Sequence, residues 1–456
     1  MQEALTELIH HYLCSGRKVH LVGIGGVSMR TLAVVLRQRG MEITGSDMNL
    51  SEAVKELQEM GFPVHIGHRA ENVGDAECIV RSAAIHEDNP EIKAARAKGI
   101  PVFERAQAWG MLMKDYPNAI CISGTHGKTT TTAMVTHIFM EAQKDPTVMI
   151  GGYLPLLKSG HRVGNGQAFI AEACEYCNSF LSFYPTVAVI NNIEEDHLDF
   201  FKDLDDIKAS FRRFAELTPS DGRIIVNGDD ANTLDTVKGM DYLTFGFGEG
   251  NDVHPVNISQ DMRSCDILCK GRLYCHLQLQ VIGIANLIDA VGACAVAWHM
   301  GIDGETAARA LAAFRGAKRR QEFKGRCNGA DVYDDFAHHP QEIKVLLEAM
   351  RTLNPQRLIL VFQPYTYTRT RDLFDDFVDV LQMPDLLVMP EVYPAREEDI
   401  YNIHSRDLAA KLPGCICVDT LEQVADCLRK IARPGDVIVT TGCGNVYLAA
   451  EAIVEK

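Results

Sequence analysis

The stretch ISGTHGKTTTT, Ile122 to Thr132, decides how this chain is read. The apolar run AICIS, Ala119 to Ser123, leads into it, and the helical pattern TTTTAMVTHIFMEA leads out. A buried strand, a glycine turn and a helix, in that order, make a phosphate-cradling loop. Its core is GTHGKTT: Gly124, Thr125, His126, Gly127, Lys128, Thr129 and Thr130. Only two residues separate the glycines here, fewer than in the common form, but the mechanics are the same. Backbone N–H groups and the helix N-terminus face the β- and γ-phosphates. Lys128 supplies positive charge, and the Thr129 hydroxyl can ligate Mg2+. A run of threonines is otherwise a poor opening for a helix, because β-branched side chains are stiff there. The structural alternative is a helix N-cap with an incidental lysine. The loop predicts ATP as the ligand.

Mg2+ needs oxygen ligands beyond phosphates and water. Glu172 ends the strand pattern AFIAEA, and EEDHLD, Glu194 to Asp199, follows TVAVINN. Both places fall where parallel strands end, at the edge that binds ligands in such sheets. Taken alone, Glu172 also fits a buried or capping carboxylate, and His197 fits a helix-start histidine.

A second glycine turn lies upstream. GIGGVSM, Gly23 to Met29, follows HLVG and opens a helix. Turns at Gly23 and Gly25 let backbone N–H groups approach a diphosphate. Asp47, after MEITGS, falls near where an acid would meet a ribose hydroxyl. The loop carries an extra glycine, Gly26, and has Ser28 at the third glycine position. It predicts a nucleotide diphosphate and leaves NAD and a UDP-type ligand both open. Tight strand–helix packing without a ligand is the plainer alternative.

The 456 residues suggest about three domains. Segment 1–110 alternates strands such as KVHLVG and ECIVRSA with the helical pattern SMRTLAVVLRQRG. Segment 111–315 holds the phosphate loop, the strands AFIAEA, TVAVINN and GRIIVN, an antiparallel-type pattern in ILCKGRLYCHLQLQV, and the helix ANLIDAVGACAVAWHMGI. Segment 316–456 alternates again, with RLILVFQ, DLLVMPEVY, CICVD and DVIVTTG as strands. Alternation of this kind predicts α/β domains with mostly parallel sheets. Apolar residues are 46% and charged residues 23%, as in a globular protein, and the formal charge is −16. A diffuse acidic surface argues against nucleic acid as a partner. The sequence has no apolar run of about 18 residues, so no membrane span is expected. Its N-terminus does not read as a signal peptide. The 14 cysteines are scattered, which fits reduced thiols in a cytoplasm. Cys174 and Cys177 have CxxC spacing, but no second ligand pair accompanies them.

Seven stretches in order resemble the Mur ligase family, the ATP-dependent amino-acid ligases of peptidoglycan precursors. They are GIGGVSM, DNPEIKAARAKGIPVFERA, GTHGKTTTT, NNIEEDHLDFF, DDFAHHPQEI, FQPYTYTRTRDLF and EVYPAREEDI, and they cover essentially the whole chain. The resemblance implies an N-terminal Rossmann-like UDP-binding domain, a central ATPase domain and a C-terminal Rossmann-like domain. It implies that Gly23, Gly25, Gly26, Asp47 and Ser82 line a UDP-sugar pocket, and that Lys128 and Thr129 serve ATP and Mg2+. It further implies that Glu172 and His197 complete the metal environment, that Asn286 lies beside the adenine, and that Arg320 lies near the transferred phosphate. His338, His339 and Arg369 match positions around the amino acid. The implied reaction joins L-alanine to the lactyl carboxylate of UDP-N-acetylmuramate through an acyl phosphate, in the cytoplasm.

The chain departs from the family pattern in places. Cys174 and Cys177 stand where acids are frequent, although Glu172 and Glu175 remain. Ala285 replaces a usual His, Asp289 a second Asn, Tyr365 a His and Phe336 a Tyr, while Cys443 and Asn445 sit in a C-terminal glycine turn. These departures bear on nucleotide affinity and amino-acid choice more than on reaction type. A ligase for another amino acid or a peptide, and a UDP-sugar binder without catalysis, stay open beside the alanine reading. An NAD-dependent oxidoreductase built on the first loop would leave GTHGKTT without a use.

Overall fold

The apolar runs are too short for helices and are rich in β-branched residues, and they form the strands of three sheets. The computed structural model describes residues 2–82, 84–198, 200–395 and 397–454, leaving out the side chains of residues 2–6 and 27. The first sheet holds β1 (Lys18–Val22), β2 (Glu42–Asp47), β3 (Val64–Ile66), β4 (Cys78–Arg81) and β5 (Val102–Glu104). Its order is β3-β2-β1-β4-β5 and every pairing is parallel.

The second sheet holds β6 (Asn118–Ser123), β7 (Thr147–Leu154), β8 (Ser159–Arg162), β9 (Ala168–Glu172), β10 (Val187–Ile190), β11 (Arg223–Asn227), β12 (Tyr242–Phe245), β13 (Val253–Val256), β14 (Ser264–Cys269) and β15 (Arg272–Gln278). Its order is β15-β14-β13-β12-β11-β10-β6-β9-β7-β8. The centre is parallel, while β7–β8 and β13–β14 are antiparallel. The central strand β10, VAVI, is buried throughout, as a parallel strand covered on both faces should be. β14 instead alternates half-buried and buried residues, which is the pattern that predicted an antiparallel region. The hairpin β7–β8 was not legible in the sequence. Its strands are broken by Gly151, Gly152 and Gly160 and lack a clear period.

The third sheet holds β16 (Glu322–Cys327), β17 (Ala330–Asp335), β18 (Arg357–Phe362), β19 (Leu386–Met389), β20 (Ile416–Cys417) and β21 (Asp436–Thr441). Its order is β16-β17-β21-β18-β19-β20, antiparallel only at β16–β17. The chain forms two compact units. One contains the first sheet and most of the second; the other contains the third sheet, parts of β14 and β15, and the start of the helix Ile284–His299. The first two sheets share a unit because a single apolar core runs through both. Trp109 of the helix Arg105–Met113 meets Phe169 of β9 with ring centroids 5.9 Å apart. Among the described residues no helix is long and apolar enough to cross a membrane.

Packing in the first unit is close enough to forbid a methyl group. A Cβ on Gly110, within Arg105–Met113, would lie 1.8 Å from the Ser182 carbonyl oxygen. In an open helix Gly→Ala gains about 1 kcal/mol. Here the clash reverses the sign, and Gly110→Ala is expected to cost about 3 kcal/mol, read as a lowered urea midpoint at unchanged slope.

Candidate active site

The phosphate loop is built by backbone conformations that side chains would block. Gly124 has φ 140 and Gly127 has φ 78. A Cβ on Gly124 would stand 2.9 Å from the Asn191 Cβ, and one on Gly127 would stand 2.4 Å from Asp289 Oδ1. The residues after β10 brace the loop from one side. Asn192 accepts from the His126 N–H at its Oδ1 (2.8 Å) and from the Thr125 N–H at its carbonyl (3.0 Å). Glu194 N–H donates to Thr125 Oγ1 at 2.9 Å. The amides of Thr125 and His126 are therefore used inside the protein. The free donors of this segment are those of the first helical turn, from Lys128 onward, which no helix satisfies internally.

The threonine run has a structural use too. All four hydroxyl-bearing residues are buried. Thr129 Oγ1 donates to Glu172 Oε2 at 2.9 Å, Thr131 Oγ1 to Asp289 Oδ1 at 3.0 Å, and Thr132 Oγ1 to the Lys128 carbonyl at 2.7 Å. Asp289, where the family pattern often has Asn, thus holds the loop helix rather than standing idle.

Lys128 Nζ donates to the carbonyls of Gly124 and Thr125 and pairs with Glu175 Oε2 at 3.0 Å. Burial alone would lower its pKa, but the charge of Glu175, with smaller contributions from Cys174 and Glu172, leaves it raised. Glu172 also accepts from the Gly151 N–H at 2.8 Å. Of the three residues expected at a metal, Thr129 and Glu172 come together. His197 lies instead beside Glu175 and Asp196, at 3.8 and 3.7 Å. Those three present ligand atoms within 4.8 Å of one another. The hydroxyl and carboxylate oxygens fit a hard divalent cation, with the imidazole of His197 as a softer donor beside them. His197 is fixed by a left-handed backbone (φ 54), by the Asp196 carboxylate accepting its N–H, and by the Tyr176 ring 4.7 Å away. Asp196 had no sequence signal beyond its place in EEDHLD, and Asp199 of that stretch lies outside the described residues.

At the first glycine turn, Gly23 has φ 81 and, like Ile24, donates its N–H to the Ser46 carbonyl. Asp47 Oδ2 accepts from the Gly25 N–H at 2.9 Å, so this carboxylate shapes the loop itself. A Cβ on Gly25 would meet Val54 at 2.8 Å and Asp47 at 2.9 Å; its close approach is to protein. Gly26 closes the turn through its N–H on the Gly23 carbonyl. Ser82, after β4, stands against Gly23: a Cβ there would be 3.2 Å from the Ser82 Cβ. Beneath the turn, fully buried Glu91 faces His20 and accepts from Ser46 Oγ and Asn72 Nδ2. Burial would raise its pKa, but these bonds hold it down to about 2.

In the second unit, Arg320 places its guanidinium 5.3 Å from the Phe336 ring centroid. Gln321 N–H donates to Asp335 Oδ2 at 2.7 Å, and Gln321 Oε1 accepts from Asn286 Nδ2 at 3.0 Å. Asp335 also accepts from the Ala337 N–H, so one buried carboxylate joins the Arg320 loop to the segment before His338. Neither Asp335 nor Gln321 was singled out by sequence. Arg319 anchors the same loop on Asp334 at 3.0 Å and on the carbonyls of Gly442 and Gly444. His338 Nδ1 lies 3.1 Å from the Phe336 carbonyl and 3.3 Å from Glu342. Its ring is 6.2 Å from that of Tyr365, over which the Arg369 guanidinium sits at 5.9 Å. The departures Phe336 and Tyr365 therefore stand among the expected amino-acid residues. His339 caps the helix Pro340–Arg351.

Comparison with known proteins gives the family of the chain. The family models described as Mur ligase family catalytic domain, Mur ligase middle domain and Mur ligase glutamate ligase domain match residues 18–117, 122–297 and 319–444. The chain belongs to the Mur ligase family. It is 39% identical over 449 residues to the UDP-N-acetylmuramate–L-alanine ligase of Caldanaerobacter subterraneus, covering 96% of this chain and 98% of that one. It is 41% identical over 448 residues to the enzyme of that name from Agathobacter rectalis, with the same two coverages. The crystal structure of the UDP-N-acetylmuramate–alanine ligase of Thermotoga maritima superposes with a TM-score of 0.80 at 26% identity, covering 96% of this chain and 98% of that one. A murein peptide ligase from Psychrobacter arcticus shares the fold, with a TM-score of 0.72 at 24% identity over 97% of this chain and all of that one.

Burial lowers the pKa of His338, Glu342 opposes the shift, and Arg369 and Arg320 add to it. The unfolded chain then takes up a proton that the folded one refuses, so this group's contribution to stability is present above about pH 6.5 and is lost as pH falls from there through the lowered folded value. NMR titration of the His338 ring is expected to give a midpoint below that value. Glu342→Gln is expected to lower it further; an upward move would remove Glu342 as its partner.

Proposed function

We propose that this chain ligates L-alanine to the lactyl carboxylate of UDP-N-acetylmuramate, driven by ATP, in cytoplasmic synthesis of peptidoglycan precursors. The observation that carries the reading is the phosphate loop, with Lys128 against Glu175 and Thr129 against Glu172, in a chain whose curated relatives of that name align over nearly its full length. Two donor groups, Thr129 with Glu172 and His197 with Glu175 and Asp196, would hold Mg2+, which neutralises phosphate charge when bound.

A carboxylate acylates poorly, so one of its oxygens first attacks the γ-phosphorus and ADP leaves. The alanine nitrogen then attacks the acyl carbon of the mixed anhydride, and phosphate leaves as the amide forms. Lys128 and Arg320 supply positive charge where it is needed; fixed donors of that kind are worth about 3 kcal/mol each. His338 receives a proton from the amine, a role that suits an imidazole kept neutral by burial. Arg369 offers two parallel N–H groups to the amino-acid carboxylate. Gly23, Gly26 and Ser82 serve the UDP moiety, with Asp47 fixing the turn. Gly124, Gly127 and Thr130 serve the triphosphate, and Asn286 the adenine.

A peptide-adding ligase is the second reading, favoured by the fold shared with the murein peptide ligase. One assay separates them: phosphate release from ATP with UDP-N-acetylmuramate and a panel of acceptors. Release is expected with L-alanine; release with a tripeptide alone would overturn the proposal. Lys128→Ala should abolish turnover yet leave UDP-sugar binding nearly intact, as seen by calorimetry. Arg369→Ala should raise the KM for alanine more than that for ATP.

A further inference from the structure

Arg105 opens the helix Arg105–Met113 directly after β5. Its neighbour Glu104 is taken by Arg81, at 2.6 Å. Among the described residues no carboxylate, hydroxyl or carbonyl pairs with Arg105. It is half-buried, and the desolvation lowers its pKa. A guanidinium does not shed its proton in proteins. A half-buried guanidinium without a protein partner, facing a cavity, leaves its donors open to an anion.

The position says which anion. Arg105 lines a cavity of about 100 Å³ with Ser28, Trp109, Gly151, Glu172 and Cys174. It also lines a second cavity of about 290 Å³ with Cys177, Asn178 and Ser182. Glu172 is the carboxylate that accepts from Thr129 of the phosphate loop, so the first cavity ends where phosphate chemistry is proposed. Ser28 belongs to the first glycine turn and accepts from Trp109 Nε1 at 3.0 Å. The cavity thus runs from Ser28, beside the first glycine turn, to Glu172, the hydrogen-bond partner of Thr129 in the phosphate loop. An acid at position 174 or 177 would compete for the guanidinium. Here both are cysteines, and burial pushes the Cys174 thiol up to about 11, so it stays neutral.

We propose that Arg105 binds the lactyl carboxylate of the nucleotide-sugar and keeps hold of the acyl group once it is phosphorylated. The inference rests on the function proposed above. Its two N–H groups grip the carboxylate and offset the like charge of Glu172, leaving one oxygen to meet the γ-phosphorus.

The test compares two nucleotide-sugars that differ in this arm. UDP-N-acetylmuramate carries the lactyl carboxylate, and UDP-N-acetylglucosamine carries the same diphosphate without it. Binding of each to the full chain is measured by calorimetry without ATP. Wild type is expected to prefer UDP-N-acetylmuramate. Arg105→Gln is expected to weaken that ligand about tenfold or more while leaving UDP-N-acetylglucosamine within about twofold. Arg105→Lys, which keeps the charge but not the fork, should fall between, and it carries the same comparison if the Gln variant does not fold. Equal loss of both ligands would mean that Arg105 serves the diphosphate or the fold, and would overturn the proposal. So would a wild type that does not discriminate, or a variant that still does. Because no turnover is measured, lost discrimination supports Arg105 even if alanine-dependent phosphate release fails and sinks the broader reading.

Discussion

Gly124 and Gly127 adopt backbone angles that an L side chain rarely takes, with Asn191 and Asp289 pressed against the places where their Cβ atoms would be. That contact is the constraint on which the site depends. It fixes the turn between β6 and the helix Lys128–Glu141, and so aims the first-turn amides and Lys128. The sheet order supplies the rest. β6 lies between β9 and β10, all parallel, so the ends of all three strands fall at one edge. Glu172 at the end of β9 and Asn191 just beyond β10 reach the loop across large sequence separations.

The electrostatics are local and run against the whole. The chain carries −16 formally, yet each proposed anion meets a cation set in acidic surroundings. Lys128 is kept protonated by Glu175 despite burial. Arg319 is tied to Asp334 and carbonyls, which holds the loop that presents Arg320. Asp335, with its pKa raised by burial against the pull of Arg320, binds two backbone amides and locks that loop to the histidine segment. The acids thus position the cations as well as balancing them. Arg105 is the exception, with the neutral Cys174 thiol lining the same cavity.

The departures from the family pattern acquire physical roles once folded. Asp289 accepts from Thr131 and walls off Gly127, a part Asn could also play. Tyr365 stacks on Tyr393 with centroids 5.8 Å apart, placing a flat apolar ring beneath Arg369 where an imidazole is usual. Phe336 presents its face to Arg320 and has no hydroxyl to compete for a ligand.

Strand–turn–helix order, glycine spacing and apolar runs are local properties, and they made the three sheets, both glycine turns, Lys128, Thr129 and Glu172 legible in the chain itself. Partners distant in sequence were not legible. Asn192 using up the Thr125 and His126 amides, Asp47 closing its own turn, and His197 lying with Glu175 and Asp196 all follow from strand order and register. The hairpin β7–β8 and the merging of the first two sheets into one unit were likewise decided by packing. A sequence records which residues share a turn of chain, because φ, ψ and side-chain period act over a few residues. Which carboxylate meets which cation depends on how sheets and helices bury their apolar faces, and only the tertiary structure decides that.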